Sequence, residues 1–143
     1  MSNKTIIYID PGFMIDLGHY TRMGRIIREE AMASNEGLQH YVNLDVPIEN
    51  ANKLGLIRRF KYIAGLQWIE EPVKALRDFH MRSDEILQDN SKKESHGPYE
   101  LFMYTAHPLY LPIIAFLLNK YCAEMRGLPA HICLFYLDLE FCY

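Results

Sequence analysis

Apolar and polar positions follow two different periods along this chain, and the order of these periods predicts alternating strands and helices. Residues 5–9 form a short, β-branched apolar run, which is typical of a strand buried on both faces. An Asp-Pro-Gly sequence then breaks the strand. Between residues 20 and 34, apolar side chains recur at helical spacing, which predicts an amphipathic helix. This opening predicts an α/β sheet whose working surface lies at the carboxyl ends of its strands.

The same alternation continues along the rest of the chain. Further strands are predicted at residues 39–44, 99–104 and 131–137. A long helix is predicted to begin at Pro72, because proline suits the first turn of a helix. Residues 112–125 predict another helix, and because this segment is apolar on most sides we expect it to be deeply packed.

Residues 48–68 leave two alternatives open. Leu54, Ile57, Phe60 and Ile63 fit one face of a helix, whereas residues 62–64 fit a strand. With either alternative, the repeated strand–helix order predicts an α/β domain with a Rossmann-like, open, mostly parallel sheet and helices on both faces.

The end of the chain is unusual for such a domain. The last predicted strand is almost wholly apolar, which is typical of a strand in the middle of a parallel sheet with cover on both faces. The chain stops at Tyr143, shortly after it. We therefore expect residues 1–143 to be a single Rossmann-like domain that is incomplete at its carboxyl end, the amino-terminal half of a two-domain protein. The alternative is a complete chain whose last strand is covered by a partner subunit or a second copy.

Composition narrows the class of protein further. The length of 143 residues suits one domain, and the net charge of −3 gives no electrostatic argument for nucleic acid. Cys122, Cys133 and Cys142 form no CxxC pair, so we expect reduced, buried thiols in a cytoplasmic protein. No metal site is expected, because His40, His80, His96 and His131 lack the spacing of metal ligands. No cofactor motif is present either.

Histidines follow two of the predicted strands, at the sheet edge where a ligand is expected. His19 stands after Gly18 at the start of the first helix, where unpaired backbone amides suit a phosphate. The alternative is that His19 caps or packs against the helix start. His107 lies in the loop after the strand at residues 99–104, where two histidines on one edge could bind a polyol or transfer a proton. The alternative is a loop histidine shaped by Pro108.

Carboxylates also lie in these loops. Asp10 and Asp16 share the first loop and could act as a pair, accept a sugar hydroxyl or bind a metal, although such residues are more often turn formers or helix caps. Asp138 and Glu140 follow the last strand, and we interpret them as part of a solvated chain end.

A basic segment lies between Lys53 and Lys61 and also contains Arg58 and Arg59. Its apolar residues are interleaved with these charges. We interpret it as a surface helix with a basic face, and the alternative is peripheral contact with an anionic membrane surface.

The segments from Ile6 to Tyr20 and from Tyr99 to Leu118 resemble the amino-terminal half of a GT-B-type glycosyltransferase. In these enzymes a first strand leads into a glycine-containing loop and a helix, and a later strand leads into a loop with a histidine and a proline before an apolar helix. Here His107 and Pro108 are adjacent, whereas the retaining branch often has His-Glu-Pro. Leu17 precedes Gly18, where the family usually has two adjacent glycines.

The resemblance implies the acceptor-side domain of an enzyme that transfers a sugar from a nucleotide-sugar donor to an unknown acceptor. It implies a catalytic role for His107, and substrate binding by Asp16, Gly18, His19 and Tyr20. A carboxyl-terminal domain supplies most donor contacts in such enzymes, so residues 1–143 alone are expected to be inactive. The alternatives are a non-catalytic assembly or regulatory module and, ranked lowest, a stand-alone flavodoxin-like domain that binds a nucleotide or phosphosugar.

Overall fold

Strands and helices alternate along the chain, and outside residues 48–60 they do so in the order that the hydrophobic pattern predicts. The computed structural model describes residues 4–14, 18–62, 70–93, 98–106, 108–125 and 127–134. The described elements are β1 (Thr5–Asp10), α1 (Gly18–Ala33), β2 (Gly37–Asn43), α2 (Ile48–Leu54), β3 (Leu56–Phe60), α3 (Pro72–Ser91), β4 (Tyr99–Ala106), a 3₁₀ turn (Pro108–Tyr110), α4 (Leu111–Tyr121) and β5 (Ala130–Leu134).

The described strands form one open sheet of five strands in the order β3-β2-β1-β4-β5. All neighbouring strands are parallel. The central strand, β1, pairs Tyr8 with His40 of β2 and with Phe102 of β4. This arrangement confirms the predicted Rossmann-like α/β fold, because parallel neighbours need crossover helices rather than hairpins.

Helices cover both faces of the sheet. On one face, α3 and α4 pack over β1 and β4, and their side chains share a core with Ile7, Ile9 and Leu101. On the other face, α1 and α2 cover β1, β2 and β3, and a smaller core includes Phe13, Val42 and Ala51. The connections that run from β1 to β3 therefore use one face, and those that run from β3 to β5 use the other.

Residues 48–60 fold differently from either predicted alternative. Gly55 adopts a left-handed conformation (φ 67°), and its N–H bonds back to the carbonyls of Ala51 and Asn52. Such a cap ends α2, so the chain turns directly into β3. Ile57 and Phe60 therefore lie in a strand, and the predicted helix through both residues is wrong. The other alternative was a strand at residues 62–64. Tyr62 lies outside any strand, and residues 63 and 64 lie outside the described part of the chain.

The last strand does not occupy the buried central position that its composition predicts. Among the described strands β5 is an edge strand, and it pairs with β4 alone. His131 and Cys133 are exposed on the face that α1 occupies further along the sheet. The expectation of buried thiols is also wrong for two of the three cysteines, since Cys122 and Cys133 are both free and exposed. The third, Cys142, lies outside the described residues.

The helix α4 is packed on one side only. Its buried residues, Ile114, Leu117 and Tyr121, face the core shared with α3, whereas Phe116 is 56% exposed. The expectation that this helix is deeply packed on most sides is therefore wrong. None of the helices in the described ranges combines the length and the apolar composition that a membrane span requires.

Phe79 and Phe116 form a matched pair for testing where the core lies. Phe79, on α3, is buried between the rings of Phe60 (5.9 Å between centroids) and Tyr110 (4.1 Å). We expect Phe79→Ala to lower the free energy of unfolding by about 3–5 kcal/mol, because it leaves a cavity in the core. Phe116→Ala should cost no more than about 1 kcal/mol. Chemical denaturation measures both values, and equal losses in the two variants would contradict this description of the core.

Candidate functional site

A crevice is expected where the direction of the sheet's connections reverses. The chain leaves the carboxyl end of β1 toward α1 on one face, and it leaves the carboxyl end of β4 toward α4 on the other face. Since β1 and β4 are neighbours, the loops after them diverge. In open α/β sheets ligands bind outside the carboxyl ends of the strands at such a switch point. The candidate site is therefore the edge between these two loops.

The loop after β1 is held in place by a turn of its own and by a side chain at the end of β2. The N–H of Phe13 donates to the carbonyl of Asp10 (3.1 Å), which closes a turn at the end of β1. Asn43, fully buried at the end of β2, donates from Nδ2 to the carbonyl of Pro11 (3.0 Å). Its Oδ1 accepts from the N–H of Asp45 (2.9 Å). These bonds give the loop a defined shape, because they satisfy its polar backbone groups in one geometry.

The start of α1 rests directly on this loop. A Cβ atom on Gly12 would lie 2.6 Å from Cζ of Tyr20, closer than side chains approach. A side chain at position 12 would therefore require the Tyr20 ring to shift, so glycine allows this close packing. Tyr20, on the first turn of α1, also packs against the smaller core that contains Phe13.

Asp10 and His40 form a buried pair at the end of β1. His40 Nε2 lies 3.0 Å from Asp10 Oδ2, and each side chain is only 1% exposed. Since Tyr8 pairs with His40 in the register, Asp10 lies one step further along the same face of β1. A buried carboxylate without a partner is costly, so this hydrogen bond stabilises the end of the strand.

Arg28 of α1 indicates which ring nitrogen of His40 carries the proton. Arg28 Nη1 lies 3.4 Å from His40 Nδ1. Because a guanidinium only donates, Nδ1 must accept, and the proton is then on Nε2, which donates to Asp10. Burial lowers the pKa of His40; Asp10 acts against this shift, and the charge of Arg28 adds to it. The ring is thus neutral at neutral pH.

Tyrosine side chains surround the same edge. The ring of Tyr8 stacks on His40 (4.2 Å between centroids) and meets Phe102 edge-on (5.1 Å). Burial raises the pKa of Tyr8, with further contributions from Asp10, Tyr104 and Tyr20. Burial likewise raises the pKa of Tyr110, which follows β4. The hydroxyls of Tyr8 and Tyr110 therefore stay protonated and can both donate and accept hydrogen bonds.

The structure places part of the sequence-predicted site. Gly18 is the first residue of α1 and His19 follows it, so both lie at the helix start as expected. Tyr20 lies beside Gly12 and is half-buried. Asp16 and His107 lie outside the described residues, as do Asp138 and Glu140, and the side chain of His19 is also outside the description. Their predicted roles stay predictions.

The four basic residues predicted to share a surface helix do not lie in one element, and Lys61 follows the end of β3. Lys53 lies in the last turn of α2, whereas Arg58 and Arg59 belong to β3. The Arg58 side chain donates to the carbonyl of Leu44. The prediction of one helix with a basic face is therefore wrong, because Gly55 separates these residues. Membrane contact through this segment stays a prediction.

Sequence reasoning considered His40 only as a metal ligand, and it did not select Tyr8, Tyr104 or Tyr110. A signal for His40 was present, since it is an ionisable residue inside a predicted strand. Its partner Asp10 is thirty positions away in sequence, so only the parallel register reveals the pair. In the part of the chain that the structure describes, no group of three or more His, Cys, Asp or Glu side chains could hold a metal ion.

Comparison of the chain with models of protein families, with curated proteins and with solved structures finds no match. The class that the fold defines is a Rossmann-like α/β domain with an open parallel sheet. The function must therefore be inferred from the sheet topology and from the side chains at its carboxyl edge.

The contact between Gly12 and Tyr20 can be tested with a double-mutant cycle. We expect Gly12→Ala to lower the free energy of unfolding by about 1–3 kcal/mol, because its new methyl group forces the Tyr20 ring away. In a Tyr20→Leu background the same change should cost clearly less, because the ring is absent. Urea denaturation of the four proteins gives the coupling energy. An identical cost in both backgrounds would show that the ring does not limit this position.

Proposed function

We propose that this chain is the acceptor-side domain of a glycosyltransferase and that its carboxyl edge binds a nucleotide-sugar ligand. The observation that carries the proposal is the sheet order β3-β2-β1-β4-β5, in which the connections change face between β1 and β4. Such a change of face marks the carboxyl edge at which open α/β domains bind nucleotides. The sequence resemblance to GT-B-type enzymes supports the choice of ligand.

The chemistry around the crevice suits a polyhydroxyl, anionic ligand. Tyr20, on the first turn of α1, and Tyr104, near the carboxyl end of β4, are half-buried, whereas Tyr8 and Tyr110 are buried and support the edge from inside. Tyrosines offer both an aromatic face and a hydroxyl group, and sugars and nucleobases use both. The first turns of α1 and α4 contain no acidic side chain. No carboxylate within these turns therefore offsets the positive end of either helix dipole.

The proposed roles follow from this placement. Gly18 and His19, at the start of α1, would contact the donor phosphate or sugar. The loop from Asp10 to Leu17 would shape the acceptor pocket, with Asp16 and Tyr20 binding substrate. His107, which directly follows β4, would orient the acceptor or the anomeric centre. Catalysis in the complete enzyme would then consist mainly of positioning and of stabilising the departing phosphate.

Two tyrosines of β4 provide a matched test of the proposed site. Tyr104 lies near the carboxyl end of the strand, and Tyr99 is its first residue. We expect Tyr104→Phe to weaken binding of UDP-glucose or GDP-mannose about fivefold, the effect of one lost hydrogen bond. Tyr99→Phe should leave affinity unchanged, because it lies at the opposite edge of the sheet. Calorimetric titration measures the dissociation constants.

The same titration followed by amide NMR locates the ligand. We expect shifts at Gly12, Phe13 and Tyr110, and none at Thr5 and Gly37 on the amino edge. Binding at the amino edge, or equal losses in the two tyrosine variants, would refute the proposed site. The absence of binding by any nucleotide sugar tested would refute the proposed function of these residues.

A second candidate function, an assembly module, is favoured by the exposed face of β5. His131 and Cys133 are exposed on it, and the neighbouring Phe102 and Tyr104 of β4 are only half-buried. A parallel strand normally has cover on both faces. In this alternative a second copy or a partner subunit covers this half of the sheet.

The two exposed cysteines give a matched test of assembly. If a second copy covers β5, sedimentation equilibrium should show a dimer, and Cys133→Arg should shift it toward monomer by placing a charge in the interface. Cys122→Arg, at the end of α4, should leave the dimer unchanged. A monomer at all concentrations for the unmodified chain would exclude assembly with a second copy.

A further inference from the structure

The imidazole of His40 joins three separate parts of the candidate site. Its Nε2 atom bonds Asp10 at the end of β1 (3.0 Å), and its Nδ1 atom faces Arg28 of α1 (3.4 Å). The ring of Phe13, from the loop between these elements, meets it edge-on (5.1 Å). His40 itself lies on β2 and is 1% exposed. One buried ring therefore holds the strand end, the loop and the helix together.

The position of α1 depends on this ring because the helix backbone rests on it. A Cβ atom on Gly24 would lie 3.0 Å from Cε1 of His40 and 3.0 Å from Cε2 of Phe13. Cε1 is the ring carbon between Nδ1 and Nε2, so the helix contacts the imidazole beside the nitrogen atoms that bind protons. A movement of the ring on protonation of Nδ1 would therefore displace α1.

A second proton on His40 would be incompatible with the observed contact to Arg28. Protonated Nδ1 would direct an N–H toward a guanidinium that can only donate, and both groups would be positively charged. The bond from Nε2 to the Asp10 carboxylate would then join two opposite charges and become stronger. Among the described residues, the titratable or charged groups that face His40 are Asp10 and Tyr8 from β1 and Arg28 from α1. Protonation would therefore break the helix contact and keep the strand contact.

We propose that His40 is a positioning residue for the carboxyl-edge site. Its neutral ring holds α1 and the loop at residues 11–13 in place, and its protonation breaks the contact with Arg28 and so releases α1 from the sheet. The effect on ligand affinity rests on the proposed function, whereas the release of α1 does not. In the proposed function the start of α1 supplies backbone amides to the site, so release of the helix would change the geometry of the site.

The direction of the pH effect follows from the environment of the ring. Because burial lowers the pKa of His40, release occurs on acidification below the ordinary histidine pKa of about 6.5. The unfolded chain takes up this proton more readily than the folded chain. The stability that neutral His40 contributes is therefore present above that value and is lost as the pH falls through the lowered pKa.

His40→Gln provides the variant that separates positioning from simple packing. The glutamine amide can donate from Nε2 to Asp10 and accept from Arg28 through Oε1, but it does not titrate. In the ligand-free protein, NMR between pH 8 and pH 4.5 should show one transition shared by the His40 ring, the Arg28 side chain and the amides of Phe13 and Gly24. That transition should be absent from Arg28 and these amides in His40→Gln, and retained in His80→Gln, a control on the exposed face of α3.

Two results would overturn the proposal in the ligand-free protein. The first is that the Arg28, Phe13 and Gly24 signals do not move in this pH range. The second is that they move equally in the unmodified chain and in His40→Gln.

The ligand experiment tests the effect on binding with UDP-glucose, whose pyrophosphate diester does not titrate in this range. Its dissociation constant should rise about tenfold for each pH unit below the pKa of His40, and it should stay nearly constant in His40→Gln. The same pH dependence in both proteins would overturn the positioning role. If UDP-glucose does not bind at any pH, the proposed function fails for this ligand. The NMR signals of the ligand-free protein still decide whether His40 holds α1 in place.

Discussion

The burial of β1 is the constraint on which the rest of the structure depends. It lies at the centre of the sheet with parallel neighbours on both sides, so both of its faces must be covered. Ile7 and Ile9 face α3 and α4, whereas Tyr8 and Asp10 lie on the face that α1 covers. Parallel strands require crossovers, and here the crossovers change face at β1. The switch point at the carboxyl end of β1, where a ligand is expected, therefore follows from the same arrangement.

The candidate site is supported by a second layer of polar groups. Asn43 and His40 of β2 hydrogen-bond to the loop after β1 and to the end of β1, respectively, and so hold both in place. Both side chains are buried, so each must be hydrogen-bonded in the folded state. Rigid support of this kind suits a site that acts by positioning, because small displacements of binding groups reduce both affinity and rate.

Local patterns were informative where burial and backbone preference agree. The apolar run of β1 and the proline at the start of α3 indicated the correct elements. The prediction failed at residues 48–60, where Gly55 ends a helix that periodicity alone would continue. It also failed for α4 and β5, whose apolar residues predict burial on all sides. Phe116 and Cys133 are nevertheless exposed, because no described element covers their faces.

The sequence by itself determined the class of fold and the edge at which chemistry is expected. Hydrophobic periodicity and helix-breaking or turn-forming residues are local properties of the sequence. Gly18 and Tyr20 accordingly lie at the start of α1, where the strand–loop–helix order predicts them. The tertiary structure decided which strands are neighbours and therefore which distant residues meet. The pairing of Asp10 with His40 and the contact of Arg28 with the same ring depend on register and helix docking. The physical reason is that hydrogen bonds between residues distant in sequence depend on their positions in space. Hydrophobic periodicity predicts local secondary structure and does not determine those positions.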